Sequence, residues 1–200
     1  MNSTAYNEDC MDVMGRYPDN YFTLAVTDPP YGIGRNSMTM GNSIFNKDKK
    51  EWDNSIPDKE YFTELFRVSK NQIIWGGNYF PLPCSQYFAV WDKGETMYGR
   101  DFAECELAWV REGGTRIYKR NPNQLDRIHP TQKPVALYDW LLKNYAKPGD
   151  KILDTHLGSA SSRIAADRAG LDFVGCEIDK EYFDDGVKRY NNYKAQLTLW

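Results

Sequence analysis

The chain has 200 residues, of which 41% are hydrophobic and 26% are charged, and its formal net charge is −3. These values fit one globular domain over residues 1–200 and exclude a polycation that would coat nucleic acid with its whole surface. No apolar run approaches the ~18 residues that a membrane span needs, no signal peptide is visible, and four scattered cysteines with two histidines favour neither a disulfide scaffold nor a metal site, so we expect a cytoplasmic protein without a metal.

Apolar runs bounded by turn residues alternate with segments of helical periodicity. This alternation predicts an α/β fold with a mainly parallel sheet flanked by helices on both faces. In such a sheet the ligand lies outside the carboxyl ends of the strands. We therefore expect the residues after the strands to converge on one site: Asp28 to Tyr31, Asp92 with Lys93, Asp154 to Ser159, and Glu177. The predicted strands are residues 21–28, 71–77, 87–93, 104–110, 151–158 and 171–177, and the predicted helices are residues 58–70, 133–146, 161–170 and 179–196.

Two segments lack periodicity. Residues 32–57 are rich in Gly, Asn, Ser and Lys, and we interpret them as a mobile flap over the site. Residues 94–127 hold most of the local positive charge, and we interpret them as a surface that could meet phosphates. A solvated surface would give the same charge pattern, so that alternative stays open. The candidate phosphate-binding residues are Arg111, Arg116, Lys119 and Arg120.

The stretch KILDTHLGSAS (151–161) ends a strand with an acidic residue and turns through small residues into a helix. Gly158 and Ser159 allow the backbone to approach a ligand, and the helix that follows offers free N–H groups. The next strand ends at Glu177, where Rossmann-type sites bind ribose hydroxyls. The two features predict an adenosine-containing cofactor. Ala160 stands where a dinucleotide site would favour glycine, which lowers the weight of a nicotinamide or flavin cofactor.

The stretch VTDPPYGIG (26–34) ends a strand with two residues that cannot donate a backbone hydrogen bond. A stiff surface turn would explain a bare Pro-Pro pair. The alternative is a rigid clamp that points Asp28, a backbone carbonyl and an aromatic face at a flat polar ligand. The other motifs of the chain have to decide between the two.

The order NEDC (7–10), DPPY (28–31), HPTQKP (129–134), DTHLGSAS (154–161) and FVGCE (173–177) resembles that of the beta-class amino-group DNA methyltransferases. The resemblance runs through nearly the whole chain. It implies a Rossmann-like S-adenosylmethionine-dependent methyltransferase fold with circularly permuted motif order, S-adenosylhomocysteine as the product, and an N-terminal strand that pairs beside the last strand. The cofactor-binding residues that it implies are Asp9, Cys10, Asp28, His129, Thr131, Lys133, Asp154, Leu157, Gly158, Ser159, Glu177 and Ile178.

The resemblance also implies that a base of double-stranded DNA is flipped into the site. The Asp28 carboxylate and the Pro29 carbonyl would accept the two hydrogens of its amine, and Tyr31 would stack on it, with both prolines holding the carbonyl still. The catalytic residues implied are Asp28, Pro29, Pro30 and Tyr31. Further candidates for the base pocket are Trp75, Asn78 and Tyr79, while His156 is expected only to pack over the cofactor.

In the family that the chain resembles, an Asp at the head of this motif favours the N6 amine of adenine as the methyl acceptor. The N4 amine of cytosine is the first alternative. A catalytically inactive DNA-binding relative, and methylation of RNA or of a protein glutamine, are further alternatives. The chain is short for the family and leaves residues 94–127, with the loop 32–57, as a small DNA-recognition region. This indicates a short recognition sequence or relaxed specificity. A homodimer and a phage or prophage origin without a paired nuclease are additional expectations from the resemblance.

Overall fold

Eight strands form one sheet in the order β1-β8-β7-β2-β3-β5-β4-β6. The computed structural model describes residues 2–34, 53–101, 103–123, 127–129 and 131–197. The strands are β1 Ser3–Tyr6, β2 Phe22–Thr27, β3 Ser69–Trp75, β4 Tyr87–Asp92, β5 Cys105–Val110, β6 Arg116–Lys119, β7 Lys151–Asp154 and β8 Asp172–Cys176. The helices are α1 Cys10–Met14, α2 Lys59–Val68, α3 Val135–Tyr145, α4 Ser161–Arg168 and α5 Lys180–Leu197.

The sheet is mainly parallel, as the sequence predicts. Strands β1, β8, β7, β2 and β3 all run in one direction, and β5 lies antiparallel between β3 and β4. The N-terminal strand pairs with the last strand in the register Ser3↔Phe173, which confirms the pairing implied by the resemblance. Strand β6 was not predicted, because three of its four residues are exposed and its sequence shows no alternation.

Helices bury both faces of the sheet. In β2 the side chains of Leu24 and Val26 belong to a cluster with Leu137 and Leu141 of α3, while Ala25 between them faces the helix α2 cluster. A strand buried on both faces reads as a continuous apolar run, which is why residues 21–28 carried a clear strand signal. Helix α2 begins where the Asp58 carboxylate accepts the N–H of its first turn, an ordinary N-cap.

The carboxyl ends of β1, β8, β7, β2, β3 and β4 lie at one edge of the sheet, which we call the site edge. Strand β5 runs the other way, so it begins at the site edge and ends at the opposite edge. Most of the predicted flap, residues 35–52, falls outside the described residues. Across the described part of the chain, no helix is long and apolar enough to cross a membrane.

Candidate functional site

A cavity of about 280 Å³ lies at the site edge, between the ends of β2, β7 and β8. The structure thus brings together residues that the sequence places far apart. The predicted residues that line it are Asp28, Pro30, His129, Thr131, Lys133, His156, Leu157, Gly158, Ser159, Glu177 and Ile178. The lining residues that were not predicted are Gln132, Tyr138, Ser161, Asp179 and Tyr182.

The carboxylate of Asp28 is held by two donors. The Lys133 Nζ lies 2.5 Å from its Oδ2, and the Tyr31 hydroxyl donates to its Oδ1 at 2.6 Å. Lys133 comes from the HPTQKP segment, and its side chain is only 4% exposed. Because a carboxylate has about four lone-pair sites, two bound donors leave it able to accept from a ligand.

The charges around Asp28 fix the protonation of its partners. Burial lowers the pKa of Lys133, but the carboxylates of Asp28 and Glu106 outweigh burial and leave that pKa raised above its ordinary value. Burial, followed by the same two carboxylates, raises the pKa of the Tyr31 hydroxyl. At neutral pH Asp28 therefore receives hydrogen bonds from an ammonium and from a protonated phenol.

The DPPY turn is fixed from two further sides. The Tyr31 ring stacks on the Tyr79 ring, with centroids 5.0 Å apart and planes at 15°. The carboxylate of Asp53, which is 2% exposed, accepts the N–H groups of Tyr31 and Gly32 at 2.7 and 3.1 Å. Asp53 lies in the predicted flap, and no sequence signal pointed to it, because the bond spans 22 residues without periodicity.

Glu177 follows β8 and is oriented by the backbone. Its carboxylate accepts the N–H of Gly158 at 2.9 Å and the N–H of Asp179 at 3.0 Å. Burial raises the pKa of Glu177. Gly158 has a φ of +48°, a left-handed conformation that favours glycine, and a Cβ there would make only an ordinary contact with the His129 ring at 3.9 Å.

Asp154 holds the turn after β7 and does not line the cavity. Its side chain accepts the Ser162 hydroxyl at 2.5 Å and the N–H of His156 at 3.0 Å. Burial raises the pKa of Asp154 to about 7. Burial lowers the pKa of His156, a cavity residue, to about 4, so this imidazole is neutral at physiological pH. Its Nδ1 lies 3.0 Å from the Thr155 hydroxyl.

The N-terminal pair Asp9 and Cys10 lies outside the cavity lining. Asp9 caps α1 by accepting the N–H of Met11 at 2.7 Å, and burial raises the pKa of the Cys10 thiol to about 12. Asn7, just after β1, donates to the Glu177 carbonyl at 2.8 Å, which fastens this segment to the end of β8.

The HPTQKP segment and α5 form one wall of the cavity. The His129 ring lies 4.2 Å from the Tyr182 ring, and the His129 Nδ1 lies 3.1 Å from the Thr131 hydroxyl. Tyr182 could have been found from the sequence. The predicted helix begins two residues after Glu177, so its first turn has to lie at the site edge.

The four basic residues predicted to bind DNA do not form one cluster. Lys119 pairs in register with Asp92, and the Arg120 N–H donates to the Asp92 carbonyl at 2.8 Å, so these two lie at the site edge. Arg116 starts β6 three residues earlier, about 10 Å away along the strand. Arg111 follows β5 and therefore lies at the opposite edge. Lys119 is also engaged, since its Nζ lies 2.8 Å from Glu95.

The chain is similar in sequence to known DNA methylases. A sequence model of the N6/N4 methyltransferase family, described as DNA methylase, matches residues 85–188. YubD of Escherichia coli (strain K12) is 25% identical over 203 residues, which cover 90% of this chain and 87% of YubD. The type II methyltransferase M2.MboI of Moraxella bovis is 22% identical over 246 residues, which cover 98% of this chain and 90% of that protein.

Two solved structures have the same fold. The M1.HpyAVI–SAM complex has a TM-score of 0.64 at 18% identity, and the match covers 96% of this chain and 100% of that one. The cytosine-N4-specific PvuII DNA methyltransferase also has a TM-score of 0.64, at 12% identity, with 98% and 91% covered. These likenesses confirm the predicted α/β methyltransferase fold. The beta-class assignment, the homodimer and the phage origin stay predictions.

The matched segment, residues 85–188, is just over half of the chain and holds both the HPTQKP segment and the turn from Asp154 to Ser159. The two relatives align with this chain over nearly its whole length. The chain belongs to the N6/N4 family of DNA methylases.

Proposed function

We propose that this chain transfers a methyl group from S-adenosylmethionine to the N6 amine of adenine in double-stranded DNA. The observation that supports this most directly is that Asp28 lines the same cavity as Gly158 and Glu177. A group able to accept amine hydrogens and a turn suited to a nucleoside thus share one space. The lean to adenine rests on the Asp at the head of the DPPY motif. The N4 amine of cytosine is the second candidate, because one of the solved structures with the same fold is cytosine-N4-specific.

The residues of the cavity fit S-adenosylmethionine. The Glu177 carboxylate, already oriented by two N–H groups, would bind the ribose hydroxyls, and the open backbone at Gly158 and Ser159 would admit the rest of the cofactor. Leu157 and Ile178 add apolar surface to the lining. Bound there, the cofactor supplies an electrophilic methyl group on a sulfonium and is released as S-adenosylhomocysteine.

The DPPY turn would prepare the amine for attack. An exocyclic amine is a weak nucleophile because its lone pair is delocalised into the ring. Acceptance of its hydrogens by the Asp28 carboxylate and the Pro29 carbonyl would favour a pyramidal nitrogen, and these acceptors are fixed before the base arrives. Tyr79 is 43% exposed and lies stacked on Tyr31, so the pair offers an aromatic surface to a flipped base.

The DNA backbone would contact the site edge beside the cavity. Lys119 and Arg120 are the basic candidates that lie there, and both are exposed. Residues 94–127 and the segment 32–57 are the parts of the chain that remain for reading a recognition sequence. A homodimer would enlarge the protein surface that contacts DNA.

The test is a transfer assay with product identification. The protein is incubated with labelled S-adenosylmethionine and mixed-sequence duplex DNA, and the DNA is digested to nucleosides. Label in N6-methyladenosine supports the proposal, and label in N4-methylcytosine replaces it with the second candidate. Retained cofactor binding without any label on DNA would contradict the catalytic role.

An isosteric pair of variants tests the site itself. Asp28→Asn removes the acceptor charge and should abolish transfer while the Kd for S-adenosylmethionine stays nearly unchanged. Asp150→Asn is the matched control. Asp150 lies at the opposite edge, just before β7, and bonds only the nearby N–H of Lys147 among the contacts described. Transfer that survives in Asp28→Asn would refute the role given to this carboxylate.

A further inference from the structure

Four side chains of alternating charge follow one another in contact, from Asp28 through Lys133 and Glu106 to Lys93. The Asp28 carboxylate contacts Lys133, whose Nζ lies 3.1 Å from the Glu106 Oε2. The other oxygen of Glu106, Oε1, lies 2.9 Å from the Lys93 Nζ. We call these four residues the charge chain. They come from the turn after β2, the HPTQKP segment, the start of β5 and the residue after β4.

The two lysines of the charge chain are buried and its two carboxylates are partly buried. The side chains of Lys133 and Lys93 are 4% and 5% exposed, and those of Glu106 and Asp28 are 14% and 17% exposed. Burying a charge is costly unless it is paired, and two cations with two carboxylates satisfy that condition with no net charge. Well-packed apolar residues would usually serve stability equally well. The retention of four charges beside the cavity therefore indicates a role in the site.

On the basis of the proposed function, in which Asp28 accepts the amine hydrogens, we propose that Glu106 is a positioning residue. Glu106, itself fixed by Lys93, draws the Lys133 ammonium away from exclusive contact with Asp28. Lys133 is then shared between two carboxylates, so it holds Asp28 in place while leaving acceptor capacity for the substrate amine. Without Glu106 the ammonium would close entirely on Asp28, and the charge of Lys133 would have one counterion fewer.

The surroundings of Lys133 set the sign of the expected effect. Burial opposes its charged form, and the two carboxylates overcome burial. Removal of Glu106 should therefore lower the Lys133 pKa, and removal of Lys93, a like charge beyond Glu106, should not. The titratable groups that face Lys133 and its partners are Asp28 and Tyr31 after β2, Lys93 after β4, Glu106 on β5, Tyr138 on α3 and Asp154 on β7.

The experiment measures the Lys133 pKa directly in the whole protein. Protein labelled with ¹³C at lysine Cε is titrated by NMR, and Lys133→Arg assigns the resonance. In Glu106→Gln the Lys133 pKa should fall by about one to three pH units, since an opposite charge at this distance contributes that much. In Lys93→Gln it should stay raised. In the double variant Glu106→Gln/Lys93→Gln it should fall less than in Glu106→Gln alone.

The kinetic measurement follows the same variants. Glu106→Gln should lower kcat about 10- to 100-fold, the cost of a small misplacement in the site, and its kcat/KM should decline on the alkaline side where the wild-type profile stays flat. The S-adenosylmethionine Kd should be unchanged. Glu112→Gln is the control, because Glu112 is exposed at the other end of β5.

An unchanged Lys133 pKa in Glu106→Gln, with the fold intact by circular dichroism, would overturn the inference. Equal pKa changes in Glu106→Gln and Lys93→Gln would also overturn it, because a purely structural disturbance has no reason to depend on the sign of the removed charge. If the pKa falls as expected but the wild-type protein transfers no methyl group, the charge chain stands and the proposed function fails.

Discussion

Gly76, directly after β3, is the position where one added methyl group tests the geometry of the DPPY turn most sharply. A Cβ at this glycine would lie 2.2, 2.5 and 2.7 Å from three adjacent atoms of the Tyr31 ring. Three adjacent ring atoms at such similar distances mean that the methyl group would point at the ring face and not at its edge. Gly76→Ala should therefore push the ring away by about 1 Å, since carbon atoms in contact lie about 3.5 Å apart.

The expected magnitude has two parts. Gly76 has a φ of +70°, so alanine costs about 1 kcal/mol in backbone strain alone. Displacing Tyr31 adds the loss of its hydrogen bond to the Asp28 carboxylate, about 1.5–3 kcal/mol, and of its stacking on Tyr79, about 0.5–1.5 kcal/mol. Gly99 separates the parts, because it has the same φ of +70° and open space around its Cα. Gly99→Ala should cost only the strain.

The assay compares the two variants in urea unfolding and in methyl transfer. Gly76→Ala should lose roughly 2–4 kcal/mol more unfolding free energy than Gly99→Ala, and kcat should drop about 100-fold, as expected for a group misplaced by about 1 Å. In a Tyr31→Ala background the extra cost of Gly76→Ala should vanish, which a double-mutant cycle measures. Equal losses in Gly76→Ala and Gly99→Ala would refute the contact on which this reasoning depends.

Three further predictions concern other parts of the site. Asp53→Ala should lower kcat and cost about 1–3 kcal/mol for each backbone N–H that it leaves unpaired, measured by urea unfolding; a cost under 0.5 kcal/mol would contradict the contact. The raised pKa of Asp154 makes stability decline as pH rises from about 4 to 7, whereas the lowered pKa of His156 makes it decline as pH falls from 6.5 to about 4. These opposing effects offset each other, so Asp154→Asn should make unfolding free energy rise with pH between about 4 and 6.5. A profile unchanged from the wild type would refute the Asp154 assignment, and a flat profile in the variant would refute the His156 assignment. Arg120→Ala should reduce the slope of log affinity for DNA against log salt by about 1, whereas Arg111→Ala, at the opposite edge, should leave that slope unchanged.

The convergence of the residues that follow the strands was predictable, because it depends only on the topology of the sheet. Once strands and helices alternate, Asp28 and Glu177 have to lie at the same edge, whatever the details of packing. The pairing of β1 with β8 followed from the resemblance, since nothing in the composition of STAY marks a strand. The exposed strand β6 was not predicted for the same reason, because short exposed segments carry neither an apolar run nor an alternation.

The contacts that fix the DPPY turn were not predictable in this way. Asp53 reaches Tyr31 from the far end of a long segment without periodicity, and Glu106 is one of two acidic residues in a weakly alternating predicted strand. A sequence shows which residues carry charge, but the pairing of Glu106 with Lys133 depends on β5 running antiparallel beside β3. That direction reverses the chain, so the start of β5, and not its end, reaches the site edge.

The same reversal brings the residues proposed to contact DNA close to the residues proposed to carry the chemistry. Strand β4 ends at the site edge with Asp92, which accepts from Arg120, and the next residue is Lys93 of the charge chain. One hydrogen bond and one peptide bond therefore separate the Arg120 backbone from Lys93, whose Nζ lies 2.9 Å from Glu106. The basic residues proposed to contact DNA and the carboxylate proposed to be catalytic are thus connected through the end of one strand and the charge chain.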